Sequence, residues 1–138
     1  MSGLSIQLES IGQLIRRLIA EHRDFALQTE QLDQGIRDAR ALQELSGLFA
    51  PLYDSLVNHM LVEETEIFPE VSSRGLFTER VSEIMQQHLD ITAALYEMKF
   101  ALHRKNLSAL RAAFDELLKA IGTHFPAEES EVFSLLAQ

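Results

Sequence analysis

The chain has 138 residues, a formal net charge of −9 and no cysteine. This length can bury one core without disulfide or metal staples, so we expect a single domain over residues 1–138. The lack of cysteine excludes disulfides, thiolate metal sites and cysteine nucleophiles. The acidic balance argues against general nucleic-acid binding, because neutralising phosphates requires a lysine- and arginine-rich surface.

Apolar residues recur at intervals of three or four along most of the chain, which keeps each series on one face of a helix. In chain order, these series cover residues 11–25, 52–67, 81–95 and 110–128. We find no alternating stretch of the kind that forms strands. The sequence therefore predicts an all-α protein, an up-down-up-down four-helix bundle whose helices of about 25 to 30 residues are joined by short loops.

Turn-forming or polar residues collect at 35–38, 72–75 and 105–108, and we expect the loops there. Pro51 and Pro126 fall inside two of the helical patterns. Each proline removes an amide donor and should kink its helix or widen a turn.

The beginning of the chain lacks the basic-then-apolar layout of a signal peptide. No apolar run approaches the roughly 18 to 20 residues that cross a bilayer as a helix. We therefore expect a cytoplasmic protein that binds neither membrane nor nucleic acid.

Two segments share the pattern H-x-x-x-E-E-x-E-x-F, namely HMLVEETEIF at 59–68 and HFPAEESEVF at 124–133. His22 precedes His88 by 66 residues, and His59 precedes His124 by 65, so the second half repeats the histidines of the first. The sequence predicts an internal repeat of two helical hairpins related by a pseudo-twofold axis.

Six polar residues lie on the helical stripes that should face the core, and they are His22, His59, Glu63, His88, His124 and Glu128. A buried, unpaired carboxylate costs several kcal/mol, so six such residues at similar depth indicate a shared partner. A histidine and a glutamate four residues apart lie on one helix face and can reach the same ion. Imidazole and carboxylate together suit iron, manganese or zinc. A single core histidine is more often bonded to a carbonyl, but the repeated spacing favours a metal site.

The remaining polar residues of these patterns are predicted to lie outside the core. His103 is near a helix end, where a basic residue is favourable, and should be exposed to solvent. Glu64, Glu66, Glu129 and Glu131 should be mainly surface charges. Of these four, Glu64 and Glu129 are candidates for outer residues that support the metal ligands.

The segments EH at 21–22, HMLVEETEIFP at 59–69, QH at 87–88 and HFPAEESEVF at 124–133 resemble the hemerythrin-like, HHE cation-binding family. The resemblance spans nearly the whole chain and implies a four-helix bundle around a non-haem di-iron centre. It implies two iron ions with Glu63 and Glu128 as bridging carboxylates, and four histidine ligands, His22, His59, His88 and His124. A bulge around Pro126 would let Glu129 compete with Glu128, the position that matches Glu63.

One position departs from the oxygen-carrying hemerythrins, which have a further histidine four residues before the one aligned with His88. Here that position is Ile84. The resemblance then implies two histidines for each iron, two shared carboxylates, a solvent-derived bridge and an open position on both metals.

The leading expectation is a di-iron protein that binds or reacts with dioxygen, nitric oxide or a related small ligand, as carrier, sensor or scavenger. A partner protein or a reductase would then act with it. Alternatives are a di-iron redox or peroxide enzyme, and an iron-handling protein resembling members that donate iron to damaged iron–sulfur clusters. Those members generally carry an additional cysteine-containing domain. A metal-free helical interaction domain is a fourth interpretation. The fold does not choose among these functions, and the oligomeric state stays open.

Overall fold

The computed structural model describes residues 9–137, which are helical throughout apart from short connections, and no strand occurs in that range. The α-helices are α1 (Ile11–Arg37), α2 (Leu42–Val62), α3 (Phe68–Ser73), α4 (Glu79–His103), α5 (Leu107–Glu128) and α6 (Ser134–Leu136). Two π-helices continue their chains without a break: π1 (Glu63–Ile67) joins α2 to α3, and π2 (Glu129–Phe133) joins α5 to α6. The prediction of an all-α protein built as a helical bundle is confirmed. None of the helices between residues 9 and 137 combines the length and apolarity that crossing a membrane requires.

Three of the helices begin at side-chain caps. At the start of α1, Ser10 Oγ accepts a hydrogen bond from the Gln13 amide, and the Gln13 side chain accepts one from the Ser10 amide. Thr78 and Asn106 each accept a bond from an amide of the first turn of α4 and α5. Such caps satisfy amides that have no partner inside the helix.

The three predicted breaks are found within a few residues of their expected places. The first break, predicted at residues 35–38, is not caused by Gly35, because this glycine lies buried inside α1 and not in the loop. A Cβ atom at Gly35 would lie 2.9 Å from Leu45 Cδ2. This glycine therefore allows α1 and α2 to approach closely, and the turn is made further on, where Ala39 has a positive φ of 49°.

Neither predicted proline site ends its helix. Pro51 is exposed on α2, which continues as α-helix to Val62. Pro126 is exposed near the end of α5, shortly before π2. However, π1 forms with no proline in the turn before it, and Pro69 comes after it, so the widened turn does not depend on a preceding proline.

The core consists of two apolar clusters with a polar layer between them. The larger cluster contains Phe25 of α1 and Ile91 of α4, and the smaller contains Leu18 and Ile84 of the same helices. On α1, α4 and α5 the change from one cluster to the other takes place at a buried histidine, and along α2 and π1 it takes place near the buried Glu63. The fold thus puts polar side chains from all four long helical segments at one level of the bundle.

Candidate metal centre

The structure brings together all six residues that the sequence predicts as ligands, and each is at most 5% exposed. Their donor atoms form two sets of four, and the two sets share the same pair of glutamates. Within each set, all four donor atoms lie within 4.8 Å of one another.

The first set contains the imidazoles of His22 and His59, whose Nε2 atoms are 3.1 Å apart. Glu63 Oε2 lies 3.1 Å from His59 Nε2, and Glu128 Oε1 lies 3.1 Å from His22 Nε2. One oxygen from each glutamate therefore faces this pair of histidines.

The second set contains His88 and His124, whose Nε2 atoms are also 3.1 Å apart. Glu63 Oε1 lies 3.0 Å from His88 Nε2, and Glu128 Oε2 lies 3.2 Å from His124 Nε2. These are the oxygens that the first set does not use. Each carboxylate thus spans the two sets with one oxygen in each, which is how a bridging carboxylate holds two ions.

The spacing of these atoms fits a cation at the middle of each set. Two ligand atoms at right angles, each about 2.1 Å from an ion, are about 3.0 Å apart. All four carboxylate oxygens of Glu63 and Glu128 are buried and make no hydrogen bond, although an imidazole nitrogen is near each. Buried carboxylates are normally satisfied, so these orphaned oxygens require a partner of another kind. A pair of metal cations would provide it.

Each of the four histidines holds its Nδ1 against an oxygen acceptor outside the two sets. The Nδ1 pairs are His22 with Glu129 at 2.7 Å, His59 with Glu21 at 2.8 Å, His88 with Glu64 at 2.8 Å and His124 with Gln87 at 2.9 Å. A histidine that donates its Nδ1–H in this way has the Nε2 lone pair free for a metal and its ring orientation fixed. The outer acceptors therefore prepare all four imidazoles for ligation.

Two of these acceptors, Glu64 and Glu129, are the outer residues that the sequence suggested. The structure also places Glu128, not Glu129, among the orphaned oxygens at the centre. The roles of Glu21 and Gln87 were not predicted from the sequence. Both directly precede a histidine, in the EH and QH segments, and this shared position was the available signal.

The π-helices were not predicted from the sequence; π1 begins at Glu63, and π2 begins directly after Glu128. In π1 the amide of Phe68 donates a hydrogen bond to the carbonyl of Glu63, five residues earlier in the chain. The residues four and five positions after Glu63, Ile67 and Phe68, are therefore both buried. Single π-turns are frequent at functional sites. The E-E-x-E-x-F sequence at residues 63–68 and 128–133, which overlaps π1 and π2, was the available sign of them.

Aromatic rings surround the first set more closely than the second. Phe125 stacks on His22, with ring centroids 4.0 Å apart and planes 8° from parallel, and the edge of Phe25 meets His59 at 5.1 Å. Phe68 is near His88 at a longer centroid distance of 5.9 Å. These contacts fix the ligand rings in addition to the hydrogen bonds.

The positions four residues before the first histidine of each pair are both aliphatic. Ile84 precedes His88 and Leu18 precedes His22, and both are fully buried in the smaller apolar cluster. Neither side chain offers a lone pair. The other predicted outer positions are as expected: His103 is exposed at the end of α4, and Glu131 is ion-paired with Arg80 at 2.8 Å.

Bringing two carboxylates together in the core perturbs both of them. Burial raises the pKa of Glu63 well above its usual value, and the proximity of Glu128 raises it further. Burial opposes ionisation of Glu128 as well, but the proximity of Glu63, His124 and His22 holds its pKa below the usual range. Without cations, one carboxyl of the pair would therefore keep a proton that two metal ions would displace.

The comparison with known families agrees with this geometry. A family model described as Hemerythrin HHE cation binding domain matches residues 4–71, which include His22, His59 and Glu63. Searches of the curated proteins and of the solved structures gave no match. The match to the family model confirms the resemblance inferred from the sequence motifs, and residues 4–71 of the chain are similar to the hemerythrin HHE cation-binding domain.

Proposed function

We propose that this chain is a non-haem di-iron protein whose centre binds or reacts with dioxygen, nitric oxide or a related small ligand. The observation that carries the proposal is the pair of buried glutamates, Glu63 and Glu128, whose four oxygens lack hydrogen bonds and face histidine nitrogens. A metal-free interaction domain would have to satisfy these oxygens internally. Their orphaned state therefore argues against that alternative.

His22 and His59 would hold one ion and His88 and His124 the other, with Glu63 and Glu128 bridging and a solvent-derived bridge between the ions. Two bound irons supply redox chemistry and Lewis acidity. The chain's own contribution is to hold each imidazole with its Nε2 directed at the ion and to keep bulk water away from the centre.

The equivalent positions of the two halves support an up-down-up-down bundle with an internal pseudo-twofold repeat. His22 and His88 each hold Nδ1 against a glutamate, and the two Nε2 atoms of each histidine pair are 3.1 Å apart in both halves. In the first half a π-helix begins at the glutamate of the H-x-x-x-E motif, and in the second half one begins directly after it. Equivalent halves would give each ion a similar ligand set.

The burial of the ligands favours a small ligand over a larger substrate. The six side chains are at most 5% exposed and have apolar clusters on both sides. A diatomic molecule can reach such a centre through small fluctuations of the packing, whereas a larger substrate requires an open cleft. A carrier, sensor or scavenger of a small gas is consistent with this burial. We propose that a partner protein or reductase acts with it in the cytoplasm.

Measurement of the iron content tests the proposal. We expect about two irons per chain after expression with added iron, because the structure offers two four-atom sets of the nitrogen and oxygen ligands that iron accepts. His59→Ala and His124→Ala should each lower the iron content strongly. His103→Ala is the matched control, since it removes an exposed histidine and should leave the iron content unchanged. A folded wild-type protein that takes up no iron under these conditions would refute the proposal.

Spectra of the reduced, iron-loaded protein then separate the candidate activities. Anaerobic addition of nitric oxide, and separately of dioxygen, should change the optical spectrum in proportion to the iron content. A reversible change without consumption of the gas indicates a carrier or sensor. Sustained consumption in the presence of a reductant indicates an enzyme or a scavenger.

A further inference from the structure

The four outer acceptors that hold the histidine Nδ1 atoms differ in chemistry. In the first set both acceptors are carboxylates, Glu21 on His59 and Glu129 on His22. In the second set one acceptor is the carboxylate of Glu64, but the acceptor on His124 is the amide oxygen of Gln87. The inner ligands of the two sets match, so this amide is a clear difference between their hydrogen-bond supports.

A carboxylate and an amide support a metal-binding histidine to different degrees. A hydrogen bond to a carboxylate is charge-assisted and roughly twice as strong as one to a neutral acceptor. It also increases the electron density that the imidazole can give to a metal, and losing such a partner typically costs 10- to 100-fold in metal affinity. Of the four histidines, His124 therefore has the weakest hydrogen bond at Nδ1.

The surroundings of Gln87 increase this difference. Gln87 borders a surface groove of about 540 Å³ between α4 and α5, whereas the corresponding groove beside the first set has about 230 Å³. The larger groove is lined by Ala94 and Ala120, and the smaller one, at the equivalent positions, by Gln28 and Ser55. The larger groove leaves more room for water beside the amide of Gln87 than beside Glu21, and a higher local dielectric would weaken the bond from His124 to Gln87.

We propose that Gln87 is a positioning residue that makes the two metal positions unequal. The position at His22 and His59 holds its cation about tenfold more tightly, at the lower end of the range for an outer hydrogen-bond partner. The position at His88 and His124 releases its cation first and presents the more electron-poor ion to an incoming ligand. This inference rests on the proposed two-metal function and adds which of the two ions exchanges.

Partial removal of zinc from the loaded protein tests the inference without relying on activity. The full chain, labelled with ¹⁵N in histidine, is loaded with zinc alone, and a chelator then withdraws half of the metal. Long-range ¹H–¹⁵N spectra report which Nε2 atoms lose zinc. We expect His88 and His124 to be released about ten times more often than His22 and His59.

Three variants assign the difference to Gln87. Gln87→Glu should bring the release from the two positions close to equality. The double variant Glu21→Gln with Gln87→Glu keeps the net charge and should reverse the preference. Gln86→Glu is the matched control, because it adds the same charge at an exposed neighbouring position and should leave the preference unchanged.

The outcomes distinguish this inference from the function on which it rests. Equal release from both positions in wild type would overturn the inference, as would a Gln87→Glu protein that behaves like Gln86→Glu. In both cases the two-metal proposal would stand. A chain that binds neither zinc nor iron would refute both. If Gln87→Glu fails to fold, Glu21→Gln alone must still reduce the preference, by weakening the first position.

Discussion

The side chains at the centre could be predicted from the sequence to the extent that their partners lie on the same helix. His59 and Glu63 are four residues apart, as are His124 and Glu128, and both pairs meet in the core. By contrast, Glu21 bonds to His59 from a different helix. Spacing along one helix carries no information about such cross-helix contacts. The outer acceptors that precede a histidine therefore emerged only from the structure.

With metal bound, Glu63 would stabilise the folded protein. Without metal, burial makes the charged form of its carboxyl unfavourable. Its raised pKa means that the folded chain holds this proton more tightly than the unfolded chain. The stabilisation that this proton gives the metal-free fold is fully present below the unfolded pKa of about 4.3. It is lost as the pH rises through the raised pKa of Glu63 in the folded state. Glu63→Gln should therefore stabilise the metal-free protein on the alkaline side by about 1 to 3 kcal/mol, the approximate cost of burying an unsatisfied polar group. The same change should lower the metal content.

Urea unfolding of the metal-free protein between about pH 5 and pH 9 measures this effect. Glu66→Gln is the control, because Glu66 is an exposed glutamate in the same π-helix. It should shift neither the stability nor the metal content. A Glu63→Gln protein that is less stable than wild type at every pH would show that the carboxyl is well satisfied without metal.

At the level of the elements, the three- and four-residue spacing of apolar residues predicted the long helices well. The role of a glycine and the positions of the π-helices were harder to predict. Gly35 reads as a helix breaker in the sequence, yet it lies inside α1 because Leu45 of α2 needs the space. The π-helices were missed because a wider turn changes the hydrogen-bond pattern and leaves the composition of the segment unchanged. Whether a glycine turns the chain or admits a neighbour depends on contacts between helices.

Two glycine substitutions separate these roles. Gly122→Ala in α5 should stabilise the protein by about 0.5 to 1 kcal/mol, because alanine favours helix and nothing lies within 4 Å of the added methyl group. Gly35→Ala gains the same helix preference, but its methyl group would meet Leu45 and Leu48, at 2.9 and 3.3 Å. Overpacking of this kind costs about 1 to 3 kcal/mol, so the net effect should be destabilising. Thermal unfolding of both variants would check the contrast, and equal stabilisation by both would contradict the close approach of α1 and α2.

At the scale of the whole molecule, the bundle has two apolar clusters joined through a polar layer. The layer was predictable because its residues repeat at matched depth along four helical patterns. The separation of the core into two clusters was not predicted, since it depends on the level at which each helix crosses its neighbours. Metal ions at the centre would join residues of α1, α2, α4 and α5 at this level.

Hydrogen exchange should therefore respond to metal unevenly along the chain. Zinc loading should slow amide exchange by about tenfold or more around residues 59–67 and 124–133, because ligation stabilises the folded centre. Amides around 45–52, in the far part of the larger cluster, should change much less. Mass spectrometry of the same chain with zinc and with a chelator measures both regions. A uniform change over the whole chain would show instead that the bundle opens only as one unit.

The location of the π-helices affects how the chain would tolerate changes in length. Removing one residue from an α-helix turns everything beyond it by about 100° relative to what comes before. A deletion within α2 before His59 would turn His59 and Glu63 away from their partners. A deletion inside π1, after Glu63, would leave both ligands in place and convert the wide turn to an ordinary one. Because the wide turn contains one residue more than an α-turn, the six-residue α3 would keep its contacts in the smaller cluster. The candidate ligands His59 and Glu63 should therefore tolerate a deletion after Glu63 but not a deletion in α2 before His59.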